Sequence, residues 1–173
     1  MVDRRALLMG LAAMPAQAAG LADFTLDRLE GGSLPLSEFA GRAVLVVNTA
    51  SFCGYTPQYT GLQRLHDRFE ARGLTVLGVP SNDFQQESSS NQAIREFCDG
   101  MFGITFPMAA LSHVRGPRAL PLFQWLAREA GGLPRWNFHK YLVARDGVRV
   151  RAFVTQVEPT SREMLRAVEA ALG

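Results

Sequence analysis

Two spacings of apolar residues alternate along this chain, and they predict its elements. Unbroken apolar runs at residues 43–48 and 74–79, rich in valine and leucine, read as strands buried on both faces. Between them Leu62, Leu65, His66 and Phe69 recur at helical spacing. That helix is expected to start near Pro57, which suits a first turn, and to end by Gly73. Strand, helix, strand in this order implies a parallel pair joined by a crossover. Upstream, Phe24-Thr25-Leu26 and Leu34-Pro35-Leu36 flank Glu30-Gly31-Gly32-Ser33 and predict a small hairpin. Downstream, residues 81–90 are polar and turn-rich, a loop. Ile94, Phe97, Cys98 and Met101 then predict a helix over 91–101 with Cys98 on its apolar face. A third helix is expected over 117–128. Residues 138–143 and 148–154, either side of Arg145-Asp146-Gly147, predict a β-hairpin. A last helix over 161–172 would bury Met164, Leu165, Val168 and Leu172, with Thr160 and Glu163 as its capping box.

This order describes a single α/β domain of thioredoxin-like type, a central mixed sheet flanked by helices, without repeats or internal linkers. A length of 173 residues fits one domain, and 47% hydrophobic residues suit a packed core. The net charge of +2, from 18 basic and 16 acidic residues, gives no basic stripe for nucleic acid. No apolar run approaches the roughly 20 residues that span a bilayer. Residues 1–18 read as an export signal. Arg4-Arg5 precede an apolar stretch, and Ala16-Gln17-Ala18 is a small-residue cleavage pattern. Residues 19–173 would then be the mature domain in a periplasm. If the segment is instead a retained N-terminal helix, the protein is cytoplasmic.

The candidate chemistry centres on Cys53, delivered by the first core strand just before the helix near Pro57. Unpaired backbone N–H groups at a helix start favour a thiolate, the reactive form of the side chain. The only other cysteine is Cys98. Composition leaves open whether the two form a permanent staple or a redox pair. His66, His113 and His139 are scattered, without metal-ligand spacing, and read as surface or helix-face residues. Phosphate loops, nucleophile elbows and dinucleotide fingerprints are absent from the sequence, so neither a metal nor an organic cofactor is expected.

Four blocks then resemble one family in the right order. They are Asn48-Thr49-Ala50-Ser51-Phe52-Cys53-Gly54-Tyr55-Thr56-Pro57-Gln58-Tyr59, Gly78-Val79-Pro80-Ser81-Asn82-Asp83-Phe84-Gln85-Gln86-Glu87, Gly103-Ile104-Thr105-Phe106-Pro107-Met108, and Trp136-Asn137-Phe138-His139-Lys140-Tyr141-Leu142-Val143. The sequence resembles the glutathione peroxidase family, in its cysteine-containing, thioredoxin-dependent branch. Thr56 stands where a thioredoxin would carry its second cysteine, so Cys53-Gly54-Tyr55-Thr56 cannot exchange a disulfide by itself.

The resemblance implies that Cys53 is the peroxidatic residue and that Gln86, Trp136 and Asn137 surround it as uncharged donors. It implies Cys98 as the resolving cysteine, since Ser81 replaces another cysteine common in the family. The loop at Phe84-Gln85-Gln86-Glu87-Ser88-Ser89 is one residue shorter than the family pattern and lacks its glycine and proline, so Gln85 competes with Gln86 for the site. The long insertion of tetrameric, glutathione-using relatives ahead of Trp136 is missing. That implies a monomer with an open active-site face, which takes hydrogen peroxide and bulky lipid hydroperoxides as substrates. A thioredoxin-like protein, rather than glutathione, would be its reductant. Two other roles suit the same residues: a peroxide-sensing relay, and a non-catalytic binding module with a structural disulfide.

Overall fold

The computed structural model describes residues 20–173; the expected export signal lies outside the described residues. Strands β1 (Thr25–Asp27) and β2 (Ser33–Pro35) form the expected N-terminal hairpin, turned by Gly31 and Gly32 at positive φ. The main sheet holds β3 (Ala43–Thr49), β4 (Leu74–Pro80), β5 (Lys140–Val143) and β6 (Val150–Phe153), in the order β4-β3-β5-β6. β3 and β4 run parallel from Ala43↔Leu74 to Thr49↔Pro80, whereas β5 and β6 are antiparallel to their neighbours. All seven residues of β3 and of β4 are buried, which is why those segments read as unbroken apolar runs.

Alternation along each strand divides the interior into two layers. Leu45 and Val47 of β3, with Leu74 and Val76 of β4, pack beneath α1 (Gln58–Phe69), α2 (Asn91–Phe102) and α4 (Arg162–Leu172). Val44 and Val46, with Leu77 and Val79, pack on the other face against α3 (Pro121–Ala130) and the N-terminal hairpin. Residues 107–109 also run along β4, where Met108 bridges Gly78 in parallel. A Cβ at position 78 would collide with the Met108 side chain and crowd the Phe106 ring, so glycine permits this close approach.

Several boundaries differ from the sequence reading. α3 starts at Pro121 rather than near residue 117, because Leu120, preceding a proline, is extended (φ −49°, ψ 143°). The cap of α4 is Ser161, whose hydroxyl accepts the Met164 amide at 3.2 Å, and not Thr160. Both hairpin strands are shorter than expected, and Phe138 lies outside β5 because its φ is +60°. In α2 the residues facing the core are Ile94 and Cys98, while Met101 is exposed. His66 and His139 are buried, so only His113 of the three histidines fits a surface position.

Candidate active site

Cys53 does not sit directly on a helix terminus. A run of i→i+3 turns, Thr56 N to Cys53 O, Gln58 N to Tyr55 O and Tyr59 N to Thr56 O, connects it to α1. These turns aim amides back toward the sulfur: Tyr55 N–H donates to Cys53 Sγ at 3.4 Å. Thr56 fixes the loop. Its hydroxyl accepts the Cys53 amide at 3.0 Å and donates to the Ala50 carbonyl at 2.9 Å. The residue in the place of a second thioredoxin cysteine is therefore a buried clamp. Cys53 is buried with 8% of its surface left exposed, against 1% for Cys98.

The second motif closes over this loop. The Phe52 amide donates to the Gln86 carbonyl at 3.0 Å, anchoring the two segments one residue from the cysteine. Gln85 takes φ +59°, a conformation that bulky residues adopt at a cost, and remains exposed. This turn brings the following side chain inward: Gln86 Oε1 accepts the Asn137 amide group at 2.9 Å. Of the two glutamines, Gln86 is the one joined to Asn137. Glu87 is buried beside the site, where desolvation raises its carboxyl above the usual range. The Ser88 amide, which donates to Glu87 Oε1 at 2.7 Å, opposes that shift.

The Trp136-Asn137-Phe138 segment is held from behind. Asn48, in β3, donates its side-chain amide to the Trp136 carbonyl at 3.0 Å, and Phe138 N–H reaches the Asn48 carbonyl at 2.6 Å. Thr155 donates to the Asn137 carbonyl at 2.7 Å, and its own carbonyl accepts Gln58 Nε2 at 2.8 Å. The fully buried Lys140 ammonium adds bonds to the carbonyls of Phe138 (2.7 Å) and Thr155 (3.3 Å). Burial pulls the Lys140 pKa down to about 7, with the Glu158 carboxylate opposing. Trp136 itself is 39% exposed, and its ring packs 5.2 Å from Phe84 of the second motif. Gln86, Trp136 and Asn137 thus converge on one end of the sheet, with the Cys53 loop fastened to the same cluster. Asn48, Thr56, Lys140 and Thr155 were not recognised as parts of the site from sequence. Asn48, Thr56 and Lys140 lie inside the motif blocks, and Thr56 also stands out as the odd residue of a Cys-x-x-Thr motif; Thr155 carried no signal.

Cys98 lies in the middle of α2, 1% exposed, and both thiols are free. Burial pushes its pKa up to about 11. The Tyr59 hydroxyl beside it opposes the shift, and the Glu87 and Asp99 carboxylates add to it. α2 meets the Cys53 loop through Phe97, whose ring lies 6.3 Å from that of Phe52. No group of three or more His, Cys, Asp or Glu placed to hold a metal ion occurs among the described residues.

Comparison with known proteins agrees with this architecture. The family model described as glutathione peroxidase matches residues 21–127. A glutathione peroxidase of Lactococcus lactis is 40% identical, over 82% of this chain and 93% of the relative. A hydroperoxy fatty acid reductase of Synechocystis is 42% identical over 84% and 94%. A glutathione peroxidase-like peroxiredoxin of Schizosaccharomyces pombe is 41% identical over 78% and 88%. Among solved structures, Trgpx in apo form superposes with a TM-score of 0.72 at 31% identity, covering 90% of this chain and 96% of that one. A thioredoxin family thiol:disulfide interchange protein of Chlorobium tepidum, at 19% identity, shares the fold with a TM-score of 0.65 over 93% and 99% of the two chains. With a thioredoxin-like fold, a family match across most of the domain and relatives near 40% identity, the chain belongs to the glutathione peroxidase family.

Proposed function

We propose that this peroxidase reduces hydrogen peroxide and organic hydroperoxides through a peroxidatic Cys53 and a resolving Cys98, with a thioredoxin-like protein as reductant. The observation that carries the reading is the placement of Cys53. Its sulfur accepts a backbone amide, and its loop is fastened to the Gln86–Asn137 pair beside Trp136. In the first step the Cys53 thiolate attacks one peroxide oxygen and the O–O bond breaks. The departing oxygen takes a proton and leaves as water or an alcohol, and Cys53 becomes a sulfenic acid. The side chains of Gln86 and Asn137 and the Trp136 indole are uncharged donors suited to the charge on the leaving oxygen. In the second step the Cys98 sulfur displaces the sulfenic hydroxyl as water, forming a disulfide. A dithiol protein then restores both thiols.

In the second step the mechanism includes motion. A disulfide needs Cα atoms within about 7 Å, and Cys98 is sealed inside a folded helix. In this mechanism α2 unwinds locally once Cys53 is oxidised. The chain acts as a monomer, and the residues of its leader support export to a periplasm.

The test is peroxide consumption in the presence of a thioredoxin reducing system. Cys53→Ser is expected to abolish turnover. Cys98→Ser is expected to consume one equivalent and stall at the sulfenic acid. Turnover that survives Cys53→Ser would remove the basis of the mechanism, and oxidation of the wild type without turnover would favour a sensor.

A further inference from the structure

Phe138 is the strained point behind the site. It is fully buried, lies between Asn137 and β5, and takes φ +60°. A bulky residue holds that conformation only where its surroundings over-determine it. Two bonds do so here. The Phe138 N–H reaches the Asn48 carbonyl at 2.6 Å, and the Phe138 carbonyl accepts the Lys140 ammonium at 2.7 Å. The same ammonium reaches the Thr155 carbonyl at 3.3 Å, while the Thr155 hydroxyl holds the Asn137 carbonyl at 2.7 Å. Lys140 therefore ties together the two segments that fix Asn137, whose side-chain amide donates to Gln86.

A cation is a costly choice for this position. Lys140 is fully buried in β5, and both of its hydrogen bonds go to carbonyls rather than to a carboxylate. The strands on either side set Val47 and Phe153 against it, both apolar. From α1 comes Gln58, uncharged, which shares the Thr155 carbonyl with the ammonium. The chain leaving β6 supplies Glu158, the one carboxylate that acts on Lys140, and Gln58 hydrogen-bonds that carboxylate at 3.3 Å. Its neighbour His139 is neutral near pH 7, because burial, with Lys140 and Arg135 nearby, lowers the ring's pKa to about 4. An apolar side chain would avoid the desolvation of a charge that no ion pair offsets. Such a departure from economical packing belongs to functional sites. Burial also brings the Lys140 pKa to about 7, so the cation and the neutral amine exchange near neutral pH. Bonds from the cation are the stronger of the two kinds.

We propose that Lys140 is a positioning residue for peroxide reduction: as a cation it holds Phe138 in its left-handed turn and so aims the Asn137 and Trp136 donors, and without its proton it holds them less well. The inference rests on the hydroperoxide-reducing reading above and adds to it a proton-dependent support for the donors. Lys140 acts through Asn137 and not on the peroxide. The rate of Cys53 oxidation then depends on two protons: loss of one from the thiol raises it, and loss of one from Lys140 lowers it.

The experiment compares two reactions of the Cys53 thiolate, oxidation by hydrogen peroxide and alkylation by iodoacetamide, from about pH 6 to about pH 8.5, on either side of the Lys140 pKa. Alkylation expels iodide rather than an oxygen anion, so it reports the thiolate without help from the donors. In the wild type the ratio of oxidation to alkylation should fall about tenfold through pH 7, the scale of one charge-assisted hydrogen bond. Lys140→Met should start at the lower ratio and show no fall. In an Asn137→Ala background Lys140→Met should slow oxidation by no more than about twofold, because the residue it acts through is gone. A flat ratio in the wild type, or the same tenfold loss with and without Asn137, would overturn the proposal. Should Lys140→Met not fold, the wild-type ratio decides alone. Tryptophan emission of the unreacted protein is a second arm that needs no turnover. A step near pH 7 is expected in the wild type and not in Lys140→Met. A wild type that is alkylated but not oxidised would end the peroxidase reading, while that step would still support the positioning. Emission without a step in the wild type would overturn the positioning even in an active peroxidase.

Discussion

Thr56 is the residue at which this site departs most clearly from a dithiol enzyme. One hydroxyl accepts the Cys53 amide and donates to the Ala50 carbonyl, both inside the protein. Replacing it by valine keeps the shape and leaves two buried backbone groups unpaired, at a cost of about 1–3 kcal/mol each. Thr56→Val should therefore lower the melting temperature and slow Cys53 oxidation, as measured by stopped-flow fluorescence; unchanged oxidation would mean that the clamp does not position the thiol. Thr155 has a similar position behind Asn137. Thr155→Val is expected to cost about 1–3 kcal/mol of stability and to reduce kcat/KM more than KM alone explains, because Asn137 loses its anchor. Cys53, Gln86, Trp136 and Asn137 were legible in sequence because they lie inside contiguous motifs. Thr155 was not, because it lies outside those motifs and its hydrogen bond to Asn137 spans 18 residues without a periodic trace; Lys140 lies inside a motif, but the burial that gives its ammonium a role does not show in spacing. Phe138 was legible as part of a motif but not as a left-handed residue, since bulky side chains seldom adopt that backbone.

At the level of elements, unbroken runs and helical stripes identified β3, β4, α1, α2 and α4, because burial of whole faces writes itself into spacing. What spacing did not show was the use of residues 107–109 as a partner for β4, since a three-residue bridge has no pattern of its own. Gly78→Ala tests that partnership. Its added methyl meets the Met108 sulfur, and overpacking of this kind costs about 1–3 kcal/mol; equilibrium denaturation should show a loss in that range. α2 carries a different expectation. Ser90 caps its start and Gly103 (φ 58°) closes its end, so in the reduced protein it is a complete helix. If it must open to release Cys98, hydrogen exchange across residues 91–102 should accelerate in the oxidised protein. Equal protection in both states would contradict the opening.

The whole molecule stores part of its pH sensitivity in His139. Its folded-state pKa of about 4 lies below the usual 6.5, so between these values the unfolded chain binds more protons than the folded one. The contribution of His139 to stability is then complete above about pH 6.5 and is lost as the solution is acidified toward pH 4. The shift corresponds to about 3 kcal/mol, and His139→Gln should flatten the slope in a series of thermal melts over that range. The same globule keeps its two thiols apart in different surroundings: Cys53 in a loop with an amide on its sulfur, Cys98 sealed in α2. The division of labour between them is open to one direct measurement, peptide mapping after a single equivalent of hydroperoxide. A disulfide joining the Cys53 and Cys98 peptides is expected, with none of it in Cys53→Ser. Oxidation confined to Cys98, or two intact thiols after the peroxide has gone, would contradict it.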